Sequence, residues 1–289
     1  MSQADTLTRS VWPIRSLGLL RSELVTVLRR GRTLALLAVL AGVPVLIGIA
    51  VRIETGDSSP GGGGGGGPAF VALVTNNGLF LVFASLAATL PFFLPMAIGV
   101  VAGDAIAGEA HAGTLRYLLV APAGRTRLLV SKYVCVLAFC LIGTLVVAVS
   151  ALVTGALLFP LGDVTLLSGA TVPFSEGLLR ALLVALVVAA SLSGIAALGL
   201  FVSTLTDSGV AAMATTVGLL ITVQIVDTIP QLHAVQPYLF PHYWLSFADL
   251  VRDPVYWDET RSNVQLQALY VAVFGSAAWA RLTTRDITA

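Results

Sequence analysis

Three histidines (His111, His233 and His242) and two cysteines (Cys135 and Cys140) are the side chains of this 289-residue sequence best suited to metal or nucleophilic chemistry. Their spacing assembles neither. A zinc protease needs HExxH and a histidine-ligated haem needs histidines inside apolar spans, and both patterns are absent. Cys135 and Cys140 stand five apart in an apolar run. On a helix they point in different directions and read as small buried hydrophobes. The run Gly61–Gly67, between Pro60 and Pro68, lacks the GxxxxGK[ST] pattern that cradles phosphates and reads as a flexible linker. No catalytic, cofactor-binding or metal-binding residue is expected in the chain.

The elements that carry these residues are apolar. The sequence is 57% hydrophobic and 11% charged, and its mean hydropathy is +0.93. A soluble domain carries about 25% charged residues, so there is too little charge to cover a water-facing surface. The composition excludes a disordered chain and an ordinary soluble enzyme. A net charge of +1 attracts no nucleic acid. Six stretches reach the ~20 residues that span a hydrocarbon core about 30 Å thick. They are Thr33–Val51, Leu79–Gly103, Val134–Phe159, Ala181–Ser203, Val210–Val226 and Val264–Ala280. The expected fold class is an all-α integral membrane protein of six transmembrane helices, in which the first apolar run is a retained anchor and not a cleaved signal.

Charge placement orients it. Arg9, Arg15, Arg21, Arg29, Arg30 and Arg32 precede the first span; Arg116, Arg125, Arg127 and Lys132 lie between the second and third; Arg281 and Arg285 come after the last. The opposite loops hold Arg52, Arg180, Arg252 and Arg261. The bias places both termini in the cytoplasm. Residues 1–32 then form a cytoplasmic N-terminus, 33–280 the membrane domain and 281–289 a cytoplasmic tail. Within the N-terminus, Ile14, Leu17, Leu20, Leu24 and Leu28 fall within about 120° of arc, which predicts an amphipathic helix lying in the membrane interface. The aromatic-rich loop 227–263, with Tyr238, Phe240, Tyr243, Trp244, Phe247 and Trp257, predicts short helices at or in the outer headgroup region. Pro91 and Pro95 predict a kink in the second span.

The loop 104–132 is the most informative segment. Helix-compatible sequence continues beyond Gly103 to Val120, with Leu115, Leu118 and Leu119 forming an i, i+3, i+4 ridge on a polar helix. Ala121-Pro122-Ala123-Gly124 then breaks it. About 30 residues exceed an ordinary connector, and an exposed apolar ridge on a rigid element points to docking in a partner's groove.

Gly108-Glu109, Gly113-Thr114-Leu115, Leu118-Leu119, Pro122, Arg125 and Lys132 resemble the coupling signature of ABC type-2 exporter permeases. The resemblance extends to the interfacial helix, the six spans and the aromatic outer loop; the polyglycine run is foreign to it. It implies a cytoplasmic coupling helix between spans two and three that seats in a separately encoded ATPase. Glu109 would open the segment, Gly113 allow close backbone approach and Thr114 cap the residues after it. Leu115, Leu118 and Leu119 would be the contact ridge, Pro122 the turn, and Arg125 and Lys132 the charged return to the membrane. The implied assembly is two permeases, identical or homologous, with two ATPase subunits that bind ATP and magnesium.

No Walker motif occurs in the chain, and its longest extramembrane segment, about 37 residues, is too short for an ATPase domain. The expected role is therefore the non-catalytic permease subunit of a multi-pass exporter in a bacterial cytoplasmic membrane, surrounded by lipid and moving an amphiphilic, drug-like or lipid-like substrate. The spans lack the ionisable groups of an ion-coupled carrier. A membrane anchor or assembly subunit of another complex, moving nothing itself, is the alternative.

Overall fold

The computed structural model describes residues 22–56, 69–111, 113 and 125–284. They form a mostly helical, multi-pass membrane protein. Residues 22–29 are helical and lead into α1 (Gly31–Gly56). After it come α2 (Ala69–Asn76), α3 (Phe80–Thr89), α4 (Phe93–His111), α5 (Arg125–Leu158), α6 (Phe174–Ser191), α7 (Ser193–Leu205), α8 (Gly209–Asp227) and α9 (Asp258–Thr284). Five uninterrupted or nearly uninterrupted segments are long and apolar enough to cross a membrane: Gly31–Thr55, Phe93–His111, Arg125–Leu158, Phe174–Leu205 and Gly209–Asp227. The sixth expected stretch is helical as part of α9 but is not among these five.

The second expected span is more than kinked. It is broken at residues 90–92 into α3 and α4. Pro91 lacks an N–H and cannot continue the ladder, whereas Pro95 sits in the first turn of α4, where no N–H is needed. The break exposes the Pro91 carbonyl, and Gln224 Nε2 on α8 donates to it at 2.6 Å. Beyond the break α4 runs past Gly103 to His111 and packs against α7 and α8. Contact with α8 is close because Gly103 has no side chain; a Cβ there would lie 2.9 Å from the Met213 backbone.

Expected span four is also interrupted, at Leu192 between α6 and α7. A buried polar network fills the gap. Ser191 Oγ accepts from Asn263 Nδ2 at 2.6 Å, and the Ser191 carbonyl accepts from Trp244 Nε1 at 2.9 Å. Gln267 accepts from Gly194 N at 3.2 Å and donates to the Phe240 carbonyl at 2.8 Å. Asn263 and Gln267 are one turn apart on α9 and both face inward. Val264, Leu269 and Val273 on the same helix are exposed. The amides of Asn263 and Gln267 therefore belong to the packed face of α9, while Asp258, Glu259, Arg261 and Gln265 are exposed in its first half.

Two further features lie at the end of the bundle opposite Arg30. The α5–α6 connection contains an antiparallel hairpin, Val164–Thr165 with Thr171–Val172 in register Val164↔Val172. Gly169, at φ 82°, turns it. The aromatic loop forms three short 3₁₀ turns, Pro230–Leu232, Gln236–Tyr238 and Trp244–Val251. Phe240, Trp244 and Phe247 within it are buried in the main core. Tyr238, Tyr256 and Trp257 stay exposed. Cys135 and Cys140 are both buried and form no disulfide.

Replacing Gln267 with Leu orphans the Gly194 N–H and the Phe240 carbonyl and should lower stability by about 1–3 kcal/mol. Replacing exposed Leu269 with Ala should change it by less than about 0.5 kcal/mol. Thermal unfolding of the detergent-solubilised protein measures both.

Candidate functional site

The predicted coupling segment is bounded by the end of α4 and the start of α5, and these two stems are tied together. Lys132 Nζ donates to Glu109 Oε1 and, at 2.6 Å, to Glu23 Oε2. Its side chain is 5% exposed, and Glu23 and Glu109 are nearly as enclosed, so water screens the cluster weakly. A buried ammonium between two carboxylates is held by Coulomb attraction that replaces its lost hydration. The contact joins α4, α5 and the helical residues 22–29 at one point. Lys132, the only lysine in the sequence, is thus a three-way fastener.

A second node lies beside the first. Asp104 Oδ2 accepts from Arg30 Nη1 at 2.7 Å and from Arg32 Nη2. Its other oxygen rests against two glycine backbones: a Cβ on Gly108 would lie 2.6 Å from Oδ1, and one on Gly209 would lie 2.5 Å from it. Gly209 is the first residue of α8, whose N-terminal dipole favours the carboxylate. Ser203 Oγ on α7 accepts from the amides of Ile106 at 3.0 Å and Ala107 at 2.9 Å. This end of α4 is consequently fixed on three sides.

The expected site residues divide into groups. Glu109 and Lys132 meet directly, although 23 positions apart. Gly108 serves the Asp104 cradle. Among the described residues nothing lies within 4 Å of a Cβ placed on Gly113. Its φ of 70° turns the chain out of α4, with its N–H bonded to the Ala110 carbonyl at 3.1 Å, the usual task of glycine just past a helix. Arg125 Nη1 donates to the carbonyls of Leu282 at 3.2 Å and Thr283 at 2.7 Å. It caps the last turn of α9, where a cation is favoured. Thr114, Leu115, Leu118, Leu119 and Pro122 lie outside the described residues, as do residues 14–21 of the expected interfacial helix. In its described part Val27 and Leu28 pack on the core while Arg29 is exposed.

Sequence reasoning missed the Asp104 node and the Asn263–Gln267 network. Their signals are present: a carboxylate just past the end of an apolar span, and two amides one turn apart in another helix. Among the described residues no group of three or more His, Cys, Asp or Glu side chains could hold a metal ion.

The chain belongs to the family described as a protein of unknown function, DUF2705, whose pattern matches residues 69–288. The match contains Asp104, Glu109 and Lys132 but not their partners Glu23, Arg30 and Arg32. No curated protein matches the chain.

Gly108→Ala and Gly209→Ala each push a methyl group onto the Asp104 carboxylate. Each should destabilise the protein by about 1–3 kcal/mol, read as a lower unfolding temperature. Addition of Asp104→Ala to either variant should reduce the cost specific to the added methyl.

Proposed function

We propose that this chain is the membrane subunit of an ATP-driven ABC exporter, moving an amphiphilic, drug-like or lipid-like substrate with a separately encoded ATPase. The observation that carries the reading is the fastening of both stems of the 112–124 segment by Glu109 and Lys132, two positions of the coupling signature. An element that passes force from an ATPase to the membrane helices must be held rigidly at both ends, and here its stems are tied to each other and to the N-terminal helix.

In this reading α9 is the sixth span. Its 27 residues reach about 40 Å, and Asn263 and Gln267 are turned inward, where a packed bundle tolerates them. Arg29, Arg30, Arg32, Arg125, Arg127, Lys132 and Arg281 gather at one end of the bundle, which becomes the cytoplasmic end by the positive-inside rule. The substrate class is supported by an apolar cavity of about 610 Å3 between α1, α3, the hairpin and the last 3₁₀ turn. Its walls include Ile47, Phe80, Phe83, Leu167, Leu245 and Phe247. Its volume lies within the range of small-molecule sites, and it offers no charged side chain to an ionic substrate. ATP and magnesium belong to the partner, and a second permease completes the assembly.

One observation favours the alternative, an anchor or assembly subunit. Arg125 and Lys132 are engaged within the chain, in a helix cap and an ion-pair cluster, so their charges are explained without a partner.

Co-expression with a soluble ATPase encoded beside this gene should give a stable complex that accumulates a fluorescent amphiphile in inverted vesicles when ATP is hydrolysed. Leu115→Asp with Leu118→Asp should abolish both complex and accumulation while leaving the permease folded. A complex that hydrolyses ATP and moves no amphiphile would favour the anchor. Unchanged transport by the double variant would refute the coupling assignment.

A further inference from the structure

The Asp104 node has a property that fastening helices does not need. One buried carboxylate oxygen draws two guanidinium groups to the same point. Each guanidinium carries five N–H donors, and the described bonds occupy one on Arg30 and two on Arg32, the second of these reaching Met213 Sδ at 3.3 Å. The Arg30 and Arg32 side chains remain 40% and 42% exposed, whereas Asp104 is 12% exposed. The neighbouring carboxylates Glu23 and Glu109 are likewise enclosed around Lys132. The carboxylates near the node are thus buried, and the groups shown outward there are the guanidiniums of Arg29, Arg30 and Arg32. Among the described residues Asp207, before α8, is an exposed acid at this end of the bundle.

The node also sits at a boundary. Leu34 and Val39 on the following turns of α1 are 54% exposed, and Val25 on the preceding helical stretch is 41% exposed. In a membrane protein such surfaces meet acyl chains, so the guanidiniums stand where apolar surface gives way to headgroups. Paired guanidiniums with free edges match phosphate oxygens by charge-assisted, two-pronged hydrogen bonds.

We propose that Arg30 and Arg32, drawn together by Asp104, form a site for the phosphate of an anionic phospholipid whose acyl chains lie along the exposed face of α1. Asp104 is the positioning residue; it holds the two arginines convergent and does not touch the lipid. The site does not depend on the transport reading, because it would serve a permease or an anchor equally.

Native mass spectrometry of the full chain, released from detergent after titration with phosphatidylglycerol, phosphatidylcholine or inorganic phosphate, tests the proposal. The expected result is retention of phosphatidylglycerol about tenfold above phosphatidylcholine, with inorganic phosphate failing to displace it. Arg30→Gln, Arg32→Gln and Asp104→Asn combined remove the site without leaving an uncompensated buried acid, and should lower retention about tenfold. Arg52→Gln, near the other end of α1, should leave it unchanged. If the triple variant does not fold, Arg30→Lys with Arg32→Lys keeps charge but loses the planar fork and should still lower retention several-fold. Equal retention of the two lipids, or loss equal to that of the Arg52 variant, overturns the site. Displacement by inorganic phosphate overturns the lipid as its occupant.

Discussion

A buried ammonium with two carboxylates around it constrains everything at the basic end of this bundle. Lys132 is almost fully enclosed, and its charge can be tolerated there only while Glu23 and Glu109 stay within reach. The three residues come from three separate helical segments, so the position of any one fixes the other two. Asp104 repeats the arrangement with signs reversed, an enclosed carboxylate met by two arginines at the start of α1. Together the nodes attach residues 22–32 to α4 and α5, and through the Gly108–Gly209 cradle to α8. The end of α4 and the start of α5 are thereby tied to the N-terminal helix and to the centre of the bundle.

The opposite end is held by different physics. Hydrophobic burial of Phe240, Trp244 and Phe247 seats the aromatic loop on the helices. The breaks at residues 90–92 and at Leu192 are each covered by an amide from a neighbouring helix, Gln224 in one case and Gln267 in the other. Backbone groups freed in an apolar environment must find such partners. Of the helices that meet at these breaks, α3 also lines the large apolar cavity.

Much of this is legible in the sequence. Apolar run length locates α1, α5 and α8 to within a few residues at most ends, because hydrophobicity and helix length are set by the same bilayer dimension. It misplaces the facing ends of α4 and α5, since helices stabilised by ion pairs continue into polar sequence; α4 runs to His111 and α5 begins at Arg125. The two-residue strands of the hairpin fall below any periodicity signal. Of the expected site, Glu109 and Lys132 stand out individually, but their meeting does not, because ion pairing across 23 residues depends on how two helices dock. Glu23 reads as part of a polar helix face, and Asp104 as a residue at a span end. Pairings with them are tertiary, and no local pattern carries them.

Rigidity of the basic end requires direct coupling between Glu109 and Lys132. A double-mutant cycle with Glu109→Gln, Lys132→Met and the pair, read as unfolding free energy in a fixed detergent, measures that coupling. The structure predicts an interaction energy within the ~0.5–3 kcal/mol range of residues in contact, with the double variant more stable than the sum of the single losses implies. Additive losses, within about 0.3–0.5 kcal/mol, would contradict it and leave the two stems unfastened.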